Sequence, residues 1–305
     1  MTRKIKIGLA LGSGVARGYA HIGALKALEE HGIKADIVSG TSIGALVGAS
    51  YVAGKLDVLE DWACGLNRRQ ILSYLDLRFR NSGLVSGRKL FRLLDHHLGG
   101  IKTETLETPF VSVAADLKTG HEVWLRKGKL SHIIKASFAL PGVFSPVRHD
   151  GHFLVDGALV NPVPVSVCRA LGAHLTIAID LNADMLGKAS QPGKEFQTIL
   201  GYDPDVGDNN SPGLLSRINP LQFMFKRKPD EPSFFGVMVS SLNIIQDRLT
   251  RSRLAGDPPD VHIKPAIGHI GMLEYERHGE LMQAGYAAAK EAIPQIETAL
   301  ALLRP

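Results

Sequence analysis

The stretch Ile37-Val38-Ser39-Gly40-Thr41-Ser42-Ile43-Gly44-Ala45-Leu46-Val47-Gly48-Ala49-Ser50-Tyr51-Val52-Ala53 decides the fold. Its first three residues read as a short apolar strand, and the small-residue run from Ala45 to Ala53 reads as a helix. Between them lies a Gly-x-Ser-x-Gly pentapeptide, whose flanking Gly40 and Gly44 let the chain turn tightly and push the Ser42 hydroxyl out of the sheet. The same order stands immediately upstream. Ile5 to Leu11 reads as a strand, Gly12 to Gly18 as a glycine-containing loop, and Ala20 to His31 as a helix closed by Gly32. Strand, turn and helix repeated in this way predict parallel neighbours, because parallel strands need a crossover connection. The expected fold is α/β, a three-layer α/β/α arrangement with a mainly parallel central sheet.

Downstream, Leu56 to Leu98 reads as helical and more polar, with Trp62, Leu66, Leu90, Leu93 and Leu94 as inward positions. Strands return at Phe110 to Ala114 and His121 to Leu125, and a helix follows near Leu130 to Phe138 before a Pro141-Gly142 turn. His152 to Val155 is a short strand ending at Asp156-Gly157. A helix from Val163 to Leu171 leads to a strand from Leu175 to Asp180. From Asn182 to Gly236 the composition shifts toward Pro, Gly, Asp and Asn, which predicts a polar insertion. Within it, Leu221-Gln222-Phe223-Met224-Phe225-Lys226-Arg227-Lys228 sets apolar residues beside three cations, a pattern equally suited to a lipid interface and to a packed loop. A helix from Val237 to Leu254, a strand from Val261 to Lys264 and a helical region from Glu274 to Leu303, interrupted at Pro294, complete the chain. The expected organisation is one domain over residues 1–305, with a core of about 5–180, the insertion at about 182–236 and a C-terminal helical region at about 237–305.

Composition narrows the function. The net charge is +5, but the 35 basic residues are scattered with no run of five or six, so nucleic acid is not an expected partner. A mildly basic surface favours anionic lipid headgroups. Cys64 and Cys168 are too few for a disulfide framework or a thiolate metal cluster and read as small buried side chains. No stretch approaches the ~18 consecutive apolar residues of a membrane span, and the basic opening Met1-Thr2-Arg3-Lys4 is followed by no export pattern. A cytoplasmic protein, either soluble or peripheral at the inner membrane surface, is the expectation.

Ser42 stands where open α/β sheets place ligands, at the carboxyl end of a strand and the N-terminus of a helix, where the helix dipole favours developing negative charge. A serine hydroxyl needs a base and its oxyanion needs donors. Gly12-Ser13-Gly14-Val15-Ala16-Arg17-Gly18, a loop poor in side chains, exposes backbone amides beside the Ser42 turn. A dinucleotide fingerprint is the rival reading of this loop, with Asp36 as the ribose acceptor, but Arg17 stands where the third glycine belongs. For the base there are two readings. Asp156, in isolation an Asp-Gly turn former, is one; a later histidine completing a Ser-His-Asp triad, from His262, His269 or His278, is the other.

Taken together, Gly14-Val15-Ala16-Arg17-Gly18, Gly40-Thr41-Ser42-Ile43-Gly44 and Asp156-Gly157-Ala158 resemble, in order, the signatures of the patatin-like phospholipases, particularly their compact bacterial members. The resemblance runs over about Ile5 to Asp180 and includes Ala20-His21-Ile22-Gly23, Ala136-Ser137, Leu140-Pro141-Gly142 and Asn161-Pro162. Val15 departs from it, since many members carry glycine there. The resemblance implies a Ser42–Asp156 dyad without histidine, an acyl-enzyme, and oxyanion donors at Gly14, Val15 and Ile43. It implies supporting roles for Gly12, Arg17, Gly18, Gly40, Gly44 and Gly157, with no metal or cofactor. The substrate would be a phospholipid or another acyl ester, met through peripheral membrane contact. Arg17 would steady the loop, meet a lipid phosphate, or take an ordinary surface or helix N-terminal role; His21 reads as a packed or helix-face histidine. A regulatory or lipid-binding protein on the same fold is the alternative.

Overall fold

The computed structural model describes residues 4–65, 77–80, 83–85, 87–183, 234–271 and 274–304. In chain order its strands are β1 (Ile7–Leu11), β2 (Ile37–Thr41), β3 (Leu77–Arg80), β4 (Gly83–Val85), β5 (Phe110–Asp116), β6 (Glu122–Leu125), β7 (Val147–His149), β8 (His152–Asp156), β9 (Leu175–Ile179) and β10 (Val261–Ile263). The helices are α1 (Tyr19–Glu30), α2 (Ile43–Val52), α3 (Leu56–Cys64), α4 (Arg88–Leu98), α5 (Leu130–Ser137), α6 (Val165–Ala170), α7 (Phe234–Gly256) and α8 (His278–Leu303).

β1 is buried along its whole length, and its alternation serves two cores. Ile7, Leu9 and Leu11 enter the main cluster with α1, α2, α5 and α8, whereas Ala10 packs with Val163, Val165 and Cys168 on the opposite face. Strands covered on both faces are a hallmark of parallel sheets. In the main sheet the order is β10-β9-β1-β2-β5-β8-β7, with β6 also paired to β5; β10, β9, β1, β2 and β5 are mutually parallel. Helices on both faces complete the three-layer α/β/α fold expected from the sequence.

The sheet changes character at β5. Its first residues pair with β2, Val113 lying opposite Thr41. Its Ser112–Ala115 stretch pairs antiparallel with β6, and Ala114–Asp116 pairs antiparallel with β8. Val113 thus has β2 on one edge and β6 on the other, and Ala114 and Ala115 have β6 and β8, so β8 shares the β2 edge of β5. One more residue of β2 would put Ser42 opposite Ala114. The chain turns instead, and Asp156 fills that place.

Two expectations fail. The region from 56 to 98 is not helical throughout: Leu77–Arg80 and Gly83–Val85 form an antiparallel pair between α3 and α4. The alternation Leu77-Arg78-Phe79-Arg80 has the period of a strand, and that local signal prevails over the helical flanks. Pro294 does not interrupt α8, which runs through it to Leu303. Proline deletes one amide donor, and the carbonyl it frees four residues back belongs to Lys290; both residues lie on the exposed side of the helix, where solvent can take the place of the lost donor. Strand β7 was not anticipated. Leu94 is buried as expected, Trp62, Leu90 and Leu93 are half-buried, and Leu66 lies outside the described residues. So do residues 184–233, the body of the predicted insertion, with its Leu221–Lys228 segment.

Candidate active site

Ser42 is the hinge between β2 and α2. Its backbone has φ 56° and ψ −121°, a conformation that L-residues avoid, and its amide donates to Ser137 Oγ at 2.9 Å. The turn closes because Gly44 lies against the backbone of β1: a Cβ there would overlap the Leu11 carbonyl oxygen. The Ala45 and Leu46 amides donate to the Ser42 carbonyl, so α2 starts directly from the turn and aims its N-terminus at the hydroxyl.

Asp156 ends β8 and is 1% exposed. Its Oδ2 accepts the Ser42 hydroxyl at 2.6 Å, across 114 positions of sequence. Its other oxygen, Oδ1, accepts the Ala158 amide at 2.8 Å, and its own amide donates to the Ala139 carbonyl at 3.0 Å. Gly157 is needed just beyond, since a Cβ there would overlap the Val113 carbonyl. Burial disfavours the charged carboxylate more than the Ser42 and Ala158 hydrogen bonds favour it, and the pKa rises to about 6. A carboxylate so placed holds a proton acceptor against a hydroxyl and is a stronger base than an exposed aspartate.

The glycine-rich loop is fastened from several sides. Gly12 N–H donates to the Ile179 carbonyl and Ser13 N–H to that of Pro162, while Asn182 Nδ2 donates to the Ser13 carbonyl at 3.1 Å. Among the described residues, no acceptor takes the amides of Gly14, Val15 or Ile43. Val15 has φ 52°, so a β-branched residue here holds a positive φ that ordinarily favours glycine. Arg17 is 1% exposed and donates through Nε and Nη2 to the Ile270 carbonyl at 3.0 and 2.6 Å. Burial sets aside the surface and lipid-phosphate roles; Arg17 stands just before the N-terminus of α1 and ties the loop to the Ile270 carbonyl. His21 Nε2 lies 2.7 Å from the Gly12 carbonyl, which makes that nitrogen the donor; full burial lowers the ring pKa to about 4, so the imidazole is neutral.

The late histidines lie elsewhere. His262 belongs to β10, three strand spacings from β2 or ~14 Å, and faces Asp180 at 3.4 Å. His269 pairs with Glu280 at 2.7 Å, and the His278 ring lies 5.8 Å from that of Tyr19. Asp156, not a histidine, meets Ser42. Sequence reasoning missed Ser137, Asn182 and Ile270 as supports of the site. Ser137 stood in a quoted motif without a role, and no local pattern marks the other two. Cys168 is buried, near Ser39 Oγ at 3.1 Å, and Cys64 is half-buried.

A cavity of about 90 Å³ opens beside Val15 of the glycine-rich loop and Ile43, the residue after Ser42, and runs between Leu46, Trp62, Leu94 and Phe138. Its lining is almost wholly apolar.

A serine on a strand-to-helix elbow, hydrogen-bonded to a buried carboxylate at the end of a mainly parallel sheet, defines the class as an α/β protein with hydrolase-type site architecture. Residues 9–169 match the family model described as patatin-like phospholipase. An NTE family protein of Mycobacterium tuberculosis is 32% identical over 96% of this chain and 92% of its own length. The chain belongs to the patatin-like phospholipase family, which supports the general class of a lipid acyl hydrolase. A patatin-like phospholipase domain-containing protein of Caenorhabditis elegans is 32% identical over 96% of this chain but 21% of its own length. Lysophospholipase NTE1 of Coccidioides immitis is 29% identical over 95% of this chain and 18% of its own. The crystal structure of VipD from Legionella pneumophila superimposes with a TM-score of 0.50 at 12% identity, covering 98% of this chain and 68% of that one, a likeness of fold alone.

Proposed function

We propose that the protein is a serine hydrolase of fatty-acyl esters, of the phospholipase A or lysophospholipase type, working through a Ser42–Asp156 dyad. The 2.6 Å hydrogen bond from the Ser42 hydroxyl to a carboxylate buried enough to have a pKa of about 6 carries this reading. Asp156 takes the hydroxyl proton as Ser42 Oγ attacks the ester carbonyl, and the tetrahedral oxyanion is held by the amides of Gly14, Val15 and Ile43 together with the N-terminus of α2. Collapse expels the alcohol, which takes the proton from Asp156, and leaves an acyl-enzyme. Water, deprotonated by the same carboxylate, attacks the acyl carbonyl, and collapse releases the fatty acid as Ser42 Oγ takes that proton back from Asp156. The apolar cavity beside Val15 and Ile43 supports a hydrocarbon acyl group as the part of the substrate bound deepest.

The reading extends to a protein that meets its lipid from the aqueous side of a bilayer. Among the described residues, no helix is long and apolar enough to cross a membrane. A fluorophosphonate probe tests the chemistry. One equivalent is expected to attach to the protein, with attachment lost in Ser42→Ala and slowed in Asp156→Asn. Well-folded protein that takes up no probe would instead favour a lipid-binding role without turnover.

A further inference from the structure

Helix α7 is amphipathic in the inverted sense. It buries Asn243, Gln246, Asp247 and Thr250, at 8%, 5%, 4% and 4% exposure, and exposes Val237, Ile244 and Ile245 at 47%, 57% and 53%. At 3.6 residues per turn, these apolar residues share one face with the exposed Ser241, Arg248, Arg251 and Ser252, on the side away from the buried polar residues. A helix at the edge of a water-soluble fold ordinarily does the opposite, so the exposed stripe calls for an apolar partner.

The position of α7 says which partner. Gln246 Oε1 accepts from Ser13 Oγ at 3.4 Å, at the start of the glycine-rich loop. The same helix packs on Gly157–Leu159, directly after Asp156, and Met238 lies against Gly142 in the loop that follows Ala139. Its inner face therefore spans the loops that hold the Ser42–Asp156 pair, and its outer face looks away from the site. Arg248 stands within the apolar stripe, one turn from Ile244. Arg251 at its margin, half exposed, pairs with the buried Asp247 at 3.1 Å. Apolar side chains interleaved with arginines match the interfacial zone of an anionic bilayer, where hydrocarbon lies directly beneath phosphate.

We infer that the outer face of α7, through Val237, Ile244, Ile245 and Arg248, docks on an anionic lipid surface. The inference rests on the proposed lipid acyl hydrolase reading for its purpose but not for its test. Burial of two isoleucines in the interface, with an arginine at phosphate level, gives a contact that holds the protein reversibly.

The test uses the full chain carrying Ser42→Ala, so that no lipid is consumed, and sedimentation with phosphatidylcholine vesicles with and without phosphatidylglycerol. The parent is expected to bind the anionic vesicles more tightly, Ile244→Ser with Ile245→Ser to weaken binding at least about tenfold, and Arg248→Glu to remove the preference for phosphatidylglycerol. The isoleucines are more than half exposed, so their loss leaves the core intact; should the double variant melt early, Arg248→Glu decides alone. Equal vesicle affinity in parent and variants overturns the inference, as does a parent that binds neither vesicle. A parent that is dimeric by light scattering and monomeric after the isoleucine substitutions also overturns it, by assigning the face to a second copy. Failure of the hydrolase reading is seen separately, as absence of probe attachment to the Ser42-containing protein while vesicle binding persists.

Discussion

The parallel and antiparallel halves of the sheet contribute to the site in different ways. The parallel half, β1 and β2 with their helices, supplies Ser42, the glycine-rich loop and the helix N-terminus from one continuous stretch of about the first fifty residues. The antiparallel half supplies one group, Asp156, and places it by register: β8 takes the edge of β5 that β2 leaves when the chain turns at Ser42. A nucleophile can thus be built locally, whereas its partner is located only by strand pairing.

The largest effect should come from cutting the link between the halves. Asp156→Asn keeps the shape and an oxygen to accept the Ala158 amide, but sets an NH2, which can only donate, against the Ser42 hydroxyl and so removes the base; turnover of a soluble ester is expected to fall about 10⁴-fold, by analogy with the loss of other catalytic bases. In the active protein kcat/KM should rise with pH through about 6 and level off as Asp156 ionises. A variant retaining a tenth of the activity would show that the antiparallel half supplies no base.

Steric substitutions break each half separately. Gly44→Ala drives a Cβ into the Leu11 carbonyl and Gly157→Ala drives one into that of Val113, both backbone atoms that cannot step aside. Each should cost about 1–3 kcal/mol or more in urea unfolding. Gly44→Ala should spoil the elbow itself, whereas Gly157→Ala should leave Ser42 in its turn and displace its partner. Comparable loss of stability with full activity in the second would contradict the register argument.

Two buried groups, one in each half, respond oppositely to pH. The Asp156 pKa is raised from 3.8 to about 6, so the folded state binds a proton that the unfolded state releases; ionised, it costs about 3 kcal/mol above pH 6, relieved as pH falls toward 4. The His21 pKa is lowered from 6.5 to about 4, so its neutral form stabilises the fold above pH 6.5 by a similar ~3 kcal/mol, lost as pH falls toward 4. Asp156→Asn should therefore exceed the parent in stability at pH 7.5, with the gap closing by pH 4, as measured by urea unfolding across that range. A gap independent of pH would mean that the carboxylate is not buried in the folded protein.

Smaller effects sharpen the parallel half. Ser137→Ala leaves the Ser42 amide without its acceptor and should cost about 1–3 kcal/mol. Val15→Gly relieves a positive φ but adds freedom to the unfolded chain, so the melting temperature should rise by no more than about 1 kcal/mol implies. A clear fall would show that the Val15 side chain contributes more through the cavity wall than its backbone conformation costs.

Legibility followed the same division. The first two strand-turn-helix units were readable because hydrophobic runs and glycines act locally. The alternation of Leu77–Arg80 was equally local, yet it was overlooked between helical flanks. Pro294 was misjudged because whether proline ends a helix depends on whether the freed carbonyl reaches water. Arg17 was visible as a motif residue, but its partner, the Ile270 carbonyl, is 253 positions away.

Sequence alone determined the α/β class, the elbow at Ser42 and the glycine loop, because turn chemistry and periodicity involve neighbours only. Tertiary structure decided that Asp156 rather than His262 meets the serine, that Arg17 and His21 face inward, and that α7 turns its polar residues in and its isoleucines out. Each of those depends on which strand edge or helix face is covered, a property of packing between distant segments that no local pattern encodes.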